Sequence, residues 1–174
     1  YRNFYTRDPY TIATSPDGKL SAILGADETE VAVFQVRQGK EAVWRLDNPN
    51  QAVIYEMHIR DLTKSETSGV DSQLRGTFLG ACQKGTTNHL GQKTGFDYIS
   101  DLGINVVQLQ PVSDRHKDYD ENGELIYNWG YDSQNYHAPE TSFSSNPADP
   151  AQAIRDLKTM IQAYHDAGIS VTLD

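Results

Sequence analysis

The sequence contains one cysteine, Cys82, among its 174 residues. A single thiol excludes an internal disulfide framework and any zinc site that is built from several cysteines. We expect Cys82 to be a small packed side chain, because free cysteines are among the most buried residues in proteins. This composition suits a cytosolic protein and equally a secreted protein that does not use disulfides.

Cationic residues are scarce as well. The 15 Lys and Arg stand against 24 Asp and Glu, which gives a formal net charge of −9. Binding to a phosphate backbone needs a basic patch, so the sequence argues against a nucleic-acid partner and favours a neutral or weakly polar ligand. No apolar run approaches the ~18 residues of a membrane span, and no span is predicted.

Several motifs of known chemistry are missing. The sequence has no G-x-G-x-x-G after its first predicted strand, no P-loop, no HExxH and no Ser-His-Asp elbow. The acidic stretch at 118–124 departs from the EF-hand pattern, so we interpret it as a solvated turn. The first residues, 1–3, carry neither an initiator methionine nor an apolar signal core, and we expect a piece of a longer protein.

Residues 1–50 have the pattern of an all-β module. A Pro-Asp-Gly turn at 16–18 precedes an alternating run, and two more short strands are predicted at 30–36 and 41–46. The polar, proline-containing stretch at 47–51 is the best domain boundary. We therefore predict a partial β-sandwich module over 1–50 and a second domain over 51–174.

The second domain alternates strands and helices. Strands are predicted at 52–60, 104–112 and 169–174, with helices at 94–103 and 149–168 between them. This order predicts parallel strands in an α/β fold, either an open doubly wound sheet or a TIM barrel. The missing nucleotide motif favours the barrel. Because a (β/α)8 barrel needs eight strands, we expect only its first three βα units here, in a chain truncated at both ends.

Barrel enzymes carry their functional residues where the strands end and in the loops that follow. The first predicted strand ends with polar side chains, of which Glu56, His58 and Arg60 share one face. They form either a polar layer inside the barrel or a structural ion pair between Glu56 and Arg60. Asp174 follows the third strand.

The stretch YNWGYD (127–132) follows the second strand. Gly130 lets the backbone turn, so that the rings of Trp129 and Tyr131 can project. Flat rings pack on the apolar face of a pyranose, while Asn128 and Asp132 can hydrogen-bond its hydroxyl groups. Composition alone leaves two interpretations open: a carbohydrate subsite, or a set of rings that plugs the mouth of the barrel.

Five stretches together resemble the type I pullulanases, debranching enzymes of the α-amylase family. The similar stretches, in matching order and spacing, are YEMHIRDLT (55–63), RGTFLGA (75–81), LGINVVQLQPV (102–112), YNWGYDSQNYHAPE (127–140) and ISVTLD (169–174). Residues 8–24 resemble the tail of the β-sandwich module that precedes the barrel in that family.

The resemblance implies retaining hydrolysis of α-1,6-glucosidic linkages in pullulan, glycogen or starch dextrins. Tyr131 would stack on the sugar next to the cleaved bond, with Asn128, Trp129 and Asp132 shaping that subsite. Asp174 matches the first aspartate of the third-strand motif, and Ser133 replaces the usual proline after the YNWGYD aspartate.

The catalytic carboxylates of that family come from strands four, five and seven, so we expect none within these 174 residues and no activity from them alone. Alternatives are a non-catalytic carbohydrate-binding protein and an isoamylase-type or branching enzyme. The expected partners are an α-glucan and the remainder of the same enzyme. Calcium is an option for the longer protein, and the resemblance favours an extracellular or surface-attached location over a cytoplasmic one.

Overall fold

A computed structural model of the chain describes residues 6–31 and 48–174. Within them, five strands form a three-stranded parallel sheet and a two-stranded antiparallel one. In chain order they are β1 (Ile54–Met57), β2 (Val106–Leu109), β3 (Ser113–Arg115), β4 (Ser133–Pro139) and β5 (Ser170–Leu173). The parallel sheet has the order β1-β2-β5, which confirms the predicted succession of parallel strands. Strands β3 and β4 are not predicted from the sequence.

Three α-helices in the described part of the chain connect the strands: α1 (Ile59–Thr63), α2 (Gly95–Asp101) and α3 (Pro150–Asp166). Helix α3 begins as predicted, because the Asp149 carboxylate accepts a hydrogen bond from the Ala151 main-chain N–H at 3.0 Å. Short 3-10 helices occupy Ala26–Thr29, Pro49–Gln51, Glu66–Ser68, Gly80–Cys82 and Thr141–Phe143.

Strand β1 ends earlier than predicted, at Met57, and the reason is His58. Its imidazole Nδ1 accepts a hydrogen bond from the Asp61 main-chain N–H at 3.3 Å, which makes His58 the N-cap of α1. The residues after His58 therefore turn into a helix instead of continuing the strand.

This corrects the predicted polar face of three strand residues. Arg60 lies in α1 and pairs with the neighbouring Asp61 at 3.2 Å, while Glu56 accepts a hydrogen bond from Gln108 Nε2 at 3.4 Å. The predicted ion pair between Glu56 and Arg60 is wrong, because the helical turn separates their side chains.

The core lies between the parallel sheet, α2 and α3. Met160 and Tyr164 of α3 are fully buried, and the Tyr164 hydroxyl donates to the Ala81 carbonyl at 2.9 Å. Ile154, Leu157 and Ile161 of the same helix are half-buried. Cys82 packs against this core, and burial raises the pKa of its thiol to about 11, so it is protonated at neutral pH.

The N-terminal part forms a small hairpin. Gly18 N–H donates to the Ser15 carbonyl at 2.8 Å, which confirms the predicted turn, and Thr14 bridges Ser21 in antiparallel fashion. The strand predictions at 30–36 and 41–46 lie outside the described residues, apart from positions 30 and 31. Helices long and apolar enough to cross a membrane do not occur in the described ranges.

Strands β3 and β4 form a ribbon that is anchored by a buried ion cluster. Lys117 Nζ lies 2.5 Å from an Asp114 oxygen and 3.2 Å from a Glu140 oxygen, with all three side chains at most 2% exposed. Asp114 also accepts a hydrogen bond from Asn135 Nδ2 at 2.6 Å. The ribbon holds both ends of the loop 116–132, which contains YNWGYD.

Candidate functional site

The carboxyl ends of the three parallel strands meet at one edge of the sheet. Gln110 N–H donates to the Met57 carbonyl at 2.9 Å, and Asp174 N–H donates to the Leu109 carbonyl at 3.0 Å. His58, Gln110 and Asp174, each just beyond a strand, are therefore brought to the same edge. In parallel α/β folds this is the edge where ligands bind.

The YNWGYD loop is fixed by its own amide and carboxylate. Asn128 Nδ2 donates to both Asp132 oxygens, at 3.1 and 3.0 Å, and Asn128 Oδ1 accepts from Gly130 N–H at 2.7 Å. Gly130 has a φ of +102°, and a Cβ there would lie 3.0 Å from the Pro111 carbonyl oxygen. Asn128 and Asp132 thus stabilise the conformation of the loop, a role that the residue types alone do not indicate.

The aromatic rings of Trp129 and Tyr131 are exposed to solvent. Trp129 is 61% exposed and Tyr131 is 57% exposed, so neither ring is buried among the described residues. The Tyr131 hydroxyl donates to Asp174 Oδ2 at 2.8 Å. This hydrogen bond raises the pKa of Tyr131, with burial and the charges of Asp174 and Glu56 adding to the effect.

Tyr127 is a third exposed ring of the loop, and its partners are not predicted from the sequence. Its hydroxyl donates to Asp61 Oδ2, and the Arg60 guanidinium lies over its ring at 4.9 Å. Asp61 thereby fixes the position of Tyr127. The pair is separated by 66 residues in the chain, so no local pattern could have indicated it.

A cleft of 340 Å³ opens between the end of β1 and the YNWGYD loop. Of the predicted site residues it brings together His58 and Trp129, while Tyr131 and Asp174 form a second pair outside its lining. The remaining lining residues combine polar and apolar side chains: Tyr55, Glu56, Met57, Asp61, Leu62, Gln110 and Tyr127. Such a mixture suits a ligand that has apolar faces and many hydroxyl groups.

His58 sits in the floor of this cleft and is only 6% exposed. Its ring lies 5.5 Å from the ring of Phe143 in a perpendicular arrangement and 5.8 Å from that of Tyr127. Burial lowers the pKa of His58, and the cations Arg115 and Arg60 lower it further, although Asp61 and the main chain of Asn128 act in the opposite direction. The neutral imidazole is therefore the form that fits this site.

The lowered pKa of His58 makes stability depend on pH. The contribution of His58 to the free energy of unfolding is fully present above the unfolded-state pKa of ~6.5. It is lost as the pH falls through the lower folded-state pKa. We expect urea unfolding at pH 8 and pH 5 to show a larger loss in the parent than in His58→Asn, which keeps an N-cap acceptor without a titratable ring. Equal losses in the two proteins would contradict this assignment.

The acidic stretch at 118–124 forms a self-contained turn. Asp120 Oδ1 accepts hydrogen bonds from the main-chain N–H groups of Asn122 and Glu124 at 2.9 and 2.8 Å. The hydrogen bond from Glu124 makes the largest contribution to the lowered pKa of Asp120. Residues 6–31 and 48–174 contain no group of three or more His, Cys, Asp and Glu arranged to hold a metal ion.

In comparison with known proteins, the chain is similar in sequence to segments of pullulanases and isoamylases. It is 33% identical over 169 residues to a pullulanase of Bacillus subtilis and 35% identical over 142 residues to the chloroplastic isoamylase 3 of Oryza sativa. These alignments cover 97% and 75% of this chain. No protein-family model matches it.

The fold agrees with the sequence similarity. A crystal structure of the Paenibacillus barengoltzii pullulanase in complex with maltohexaose and α-cyclodextrin matches 96% of the chain, with a TM-score of 0.86 and 39% identity. The chain spans only 22% and 16% of the two sequence relatives and 25% of that solved chain. Its homologues and structural neighbours are thus pullulanases and isoamylases, of which it matches a segment.

Proposed function

We propose that the chain is the part of an α-1,6-glucan debranching enzyme of the pullulanase type that supplies substrate-binding loops to the active site. The observation that carries the proposal is that the rings of Trp129 and Tyr131 are exposed at the carboxyl edge of a parallel sheet, where the Tyr131 hydroxyl donates to Asp174. Similarity to pullulanases, including one solved with maltohexaose, supports an α-glucan as the ligand.

The chemistry of the exposed rings fits a sugar. The C–H groups of a glucose ring form an apolar face that can pack on Tyr131 or Trp129. Tyr131 is held by its hydrogen bond to Asp174, whose second oxygen can accept a hydrogen bond from a sugar hydroxyl. The loop is preorganised by Asn128 and Asp132, which limits the conformational entropy that binding would cost.

Retaining glycoside hydrolysis uses a nucleophilic carboxylate and an acid/base carboxylate ~5–5.5 Å apart. We propose that both come from parts of the longer protein outside this chain, and that residues 51–174 form the first βα units of its (β/α)8 barrel. Residues 1–50 would end a preceding β-sandwich module. The chemical step needs no cofactor; calcium in the longer protein and an extracellular or surface-attached location belong to the same proposal.

The test is product analysis on pullulan, in which maltotriose units are joined by α-1,6 linkages. We expect the longer protein to release maltotriose, and the 174-residue polypeptide alone to release none because it lacks the two carboxylates. Cleavage of amylopectin but not of pullulan would favour an isoamylase-type enzyme. Maltotriose binding by the longer protein without any turnover would favour a carbohydrate-binding protein and overturn the proposal.

A further inference from the structure

A second pocket, of 270 Å³, shares Tyr127 with the lining of the cleft. Its wall carries four cationic side chains and one carboxylate: Arg60, Lys64, Arg75, Arg115 and Glu124. This concentration of positive charge is unexpected in a chain with a net charge of −9. We call this second pocket the cationic pocket.

Arg115 is the most unusual member of the cationic pocket. The residue is 3% exposed, and its Nε and Nη1 atoms are buried without a hydrogen-bond partner among the described residues. Buried guanidinium groups are normally paired with a carboxylate or a phosphate. The buried carboxylates of Asp114 and Glu140 are instead paired with Lys117, and the Arg115 group that donates a hydrogen bond to Glu140 is the main-chain N–H, at 3.3 Å.

The other three cations line the same pocket as Arg115. A Cβ on Gly76 would lie 3.3 Å from Lys64 Cδ and 3.4 Å from Arg60 Cγ, so the absent side chain leaves room for both stems. Arg75 is oriented by a hydrogen bond from its Nε to the Val70 carbonyl at 3.1 Å. Arg60 is already paired with Asp61. The other three cations of the pocket, Lys64, Arg75 and Arg115, have no carboxylate partner within 4 Å among the described residues.

We propose that the cationic pocket binds a phosphate-type oxyanion, either free or as a monoester on a sugar. A tetrahedral oxyanion accepts several charge-assisted hydrogen bonds at once, which matches a buried guanidinium flanked by further cations. A pocket of this volume holds a phosphate group and part of a sugar ring. Because Tyr127 forms a wall of both the pocket and the cleft, a phosphoryl group here could belong to a glucose residue next to the glucan site.

The test is isothermal titration calorimetry of the longer protein with inorganic phosphate, glucose 6-phosphate and glucose. We expect both anions to bind in the pocket and glucose not to bind there. The substitution Arg115→Gln should suppress the heat of anion binding. Loss of one charge-assisted hydrogen bond corresponds to a ~10-fold or greater rise in Kd. Equal affinity for the two anions indicates a site for the free anion, while tighter binding of the ester indicates a sugar phosphate.

Lys64→Gln provides a variant that leaves the buried ion cluster untouched, since Lys64 is exposed. It should weaken anion binding about threefold to tenfold even if Arg115→Gln does not fold. The matched control is Lys19→Gln, which removes an exposed cation that does not line the pocket. Absence of phosphate binding at millimolar concentration, or equal affinity in Lys64→Gln and Lys19→Gln, overturns the proposal. The assay measures no hydrolysis, so its outcome is independent of the proposed debranching activity.

Discussion

Replacement of Tyr131 by alanine in the proposed debranching enzyme is expected to lower kcat/KM for pullulan by about 100-fold, or ~2.7 kcal/mol. Two interactions are lost together. The exposed ring no longer offers its face to the sugar, and Asp174 loses the hydroxyl that orients it at 2.8 Å. Tyr131→Phe separates them, because it keeps the ring and removes only the hydrogen bond, and we expect a loss of about fivefold to tenfold.

The kinetic comparison needs a tyrosine of similar exposure that lies away from the site. Tyr136 on β4 is 74% exposed and lines neither the cleft nor the cationic pocket, so Tyr136→Ala should stay within about twofold of the parent. If Tyr131→Ala lowers kcat/KM no more than this control does, the proposal that a sugar stacks on Tyr131 is wrong. If Tyr131→Phe is as poor as Tyr131→Ala, the positioning of Asp174 dominates.

The elements that the sequence predicts well are those with local signals. Helix α3 has an aspartate cap, a proline at its first position and a regular apolar stripe, and β2 is an apolar run closed by Pro111. The end of β1 is missed because a histidine that could continue a strand instead caps a helix. Strand β3 is missed because its polar residues, two of them buried, look like surface.

The candidate site is predictable only in part, for a related reason. Its position after the strands follows from the α/β order, and YNWGYD is visible as a cluster of rings. The contacts that give these residues their roles join distant positions: Tyr131 and Asp174 are 43 residues apart. Such pairs depend on how the strands align, and spacing within one sequence does not contain that information.

Replacement of Lys117 by methionine is expected to destabilise the chain by about 3–5 kcal/mol, the largest change in stability that we predict. Methionine keeps the length and most of the volume of lysine. It removes the ammonium group that pairs with both Asp114 and Glu140, and both carboxylates are fully buried. The measurement is urea unfolding followed by circular dichroism.

Lys93→Met is the control, because Lys93 makes an ion pair of similar length, 2.6 Å to Asp101, with both side chains more than half exposed. Solvent screens this pair, so its loss should change stability little. Equal destabilisation by the two substitutions would contradict the buried cluster.

A triple variant, Lys117→Met with Asp114→Asn and Glu140→Gln, separates charge from packing. It removes the uncompensated carboxylates, so we expect it to recover a large part of the stability that Lys117→Met alone loses. Because this cluster anchors the ribbon at both ends of the loop 116–132, Lys117→Met should also weaken maltotriose binding before global unfolding, whereas the triple variant should restore it. Destabilisation without any effect on binding would mean that the YNWGYD loop keeps its shape through Asn128 and Asp132 alone.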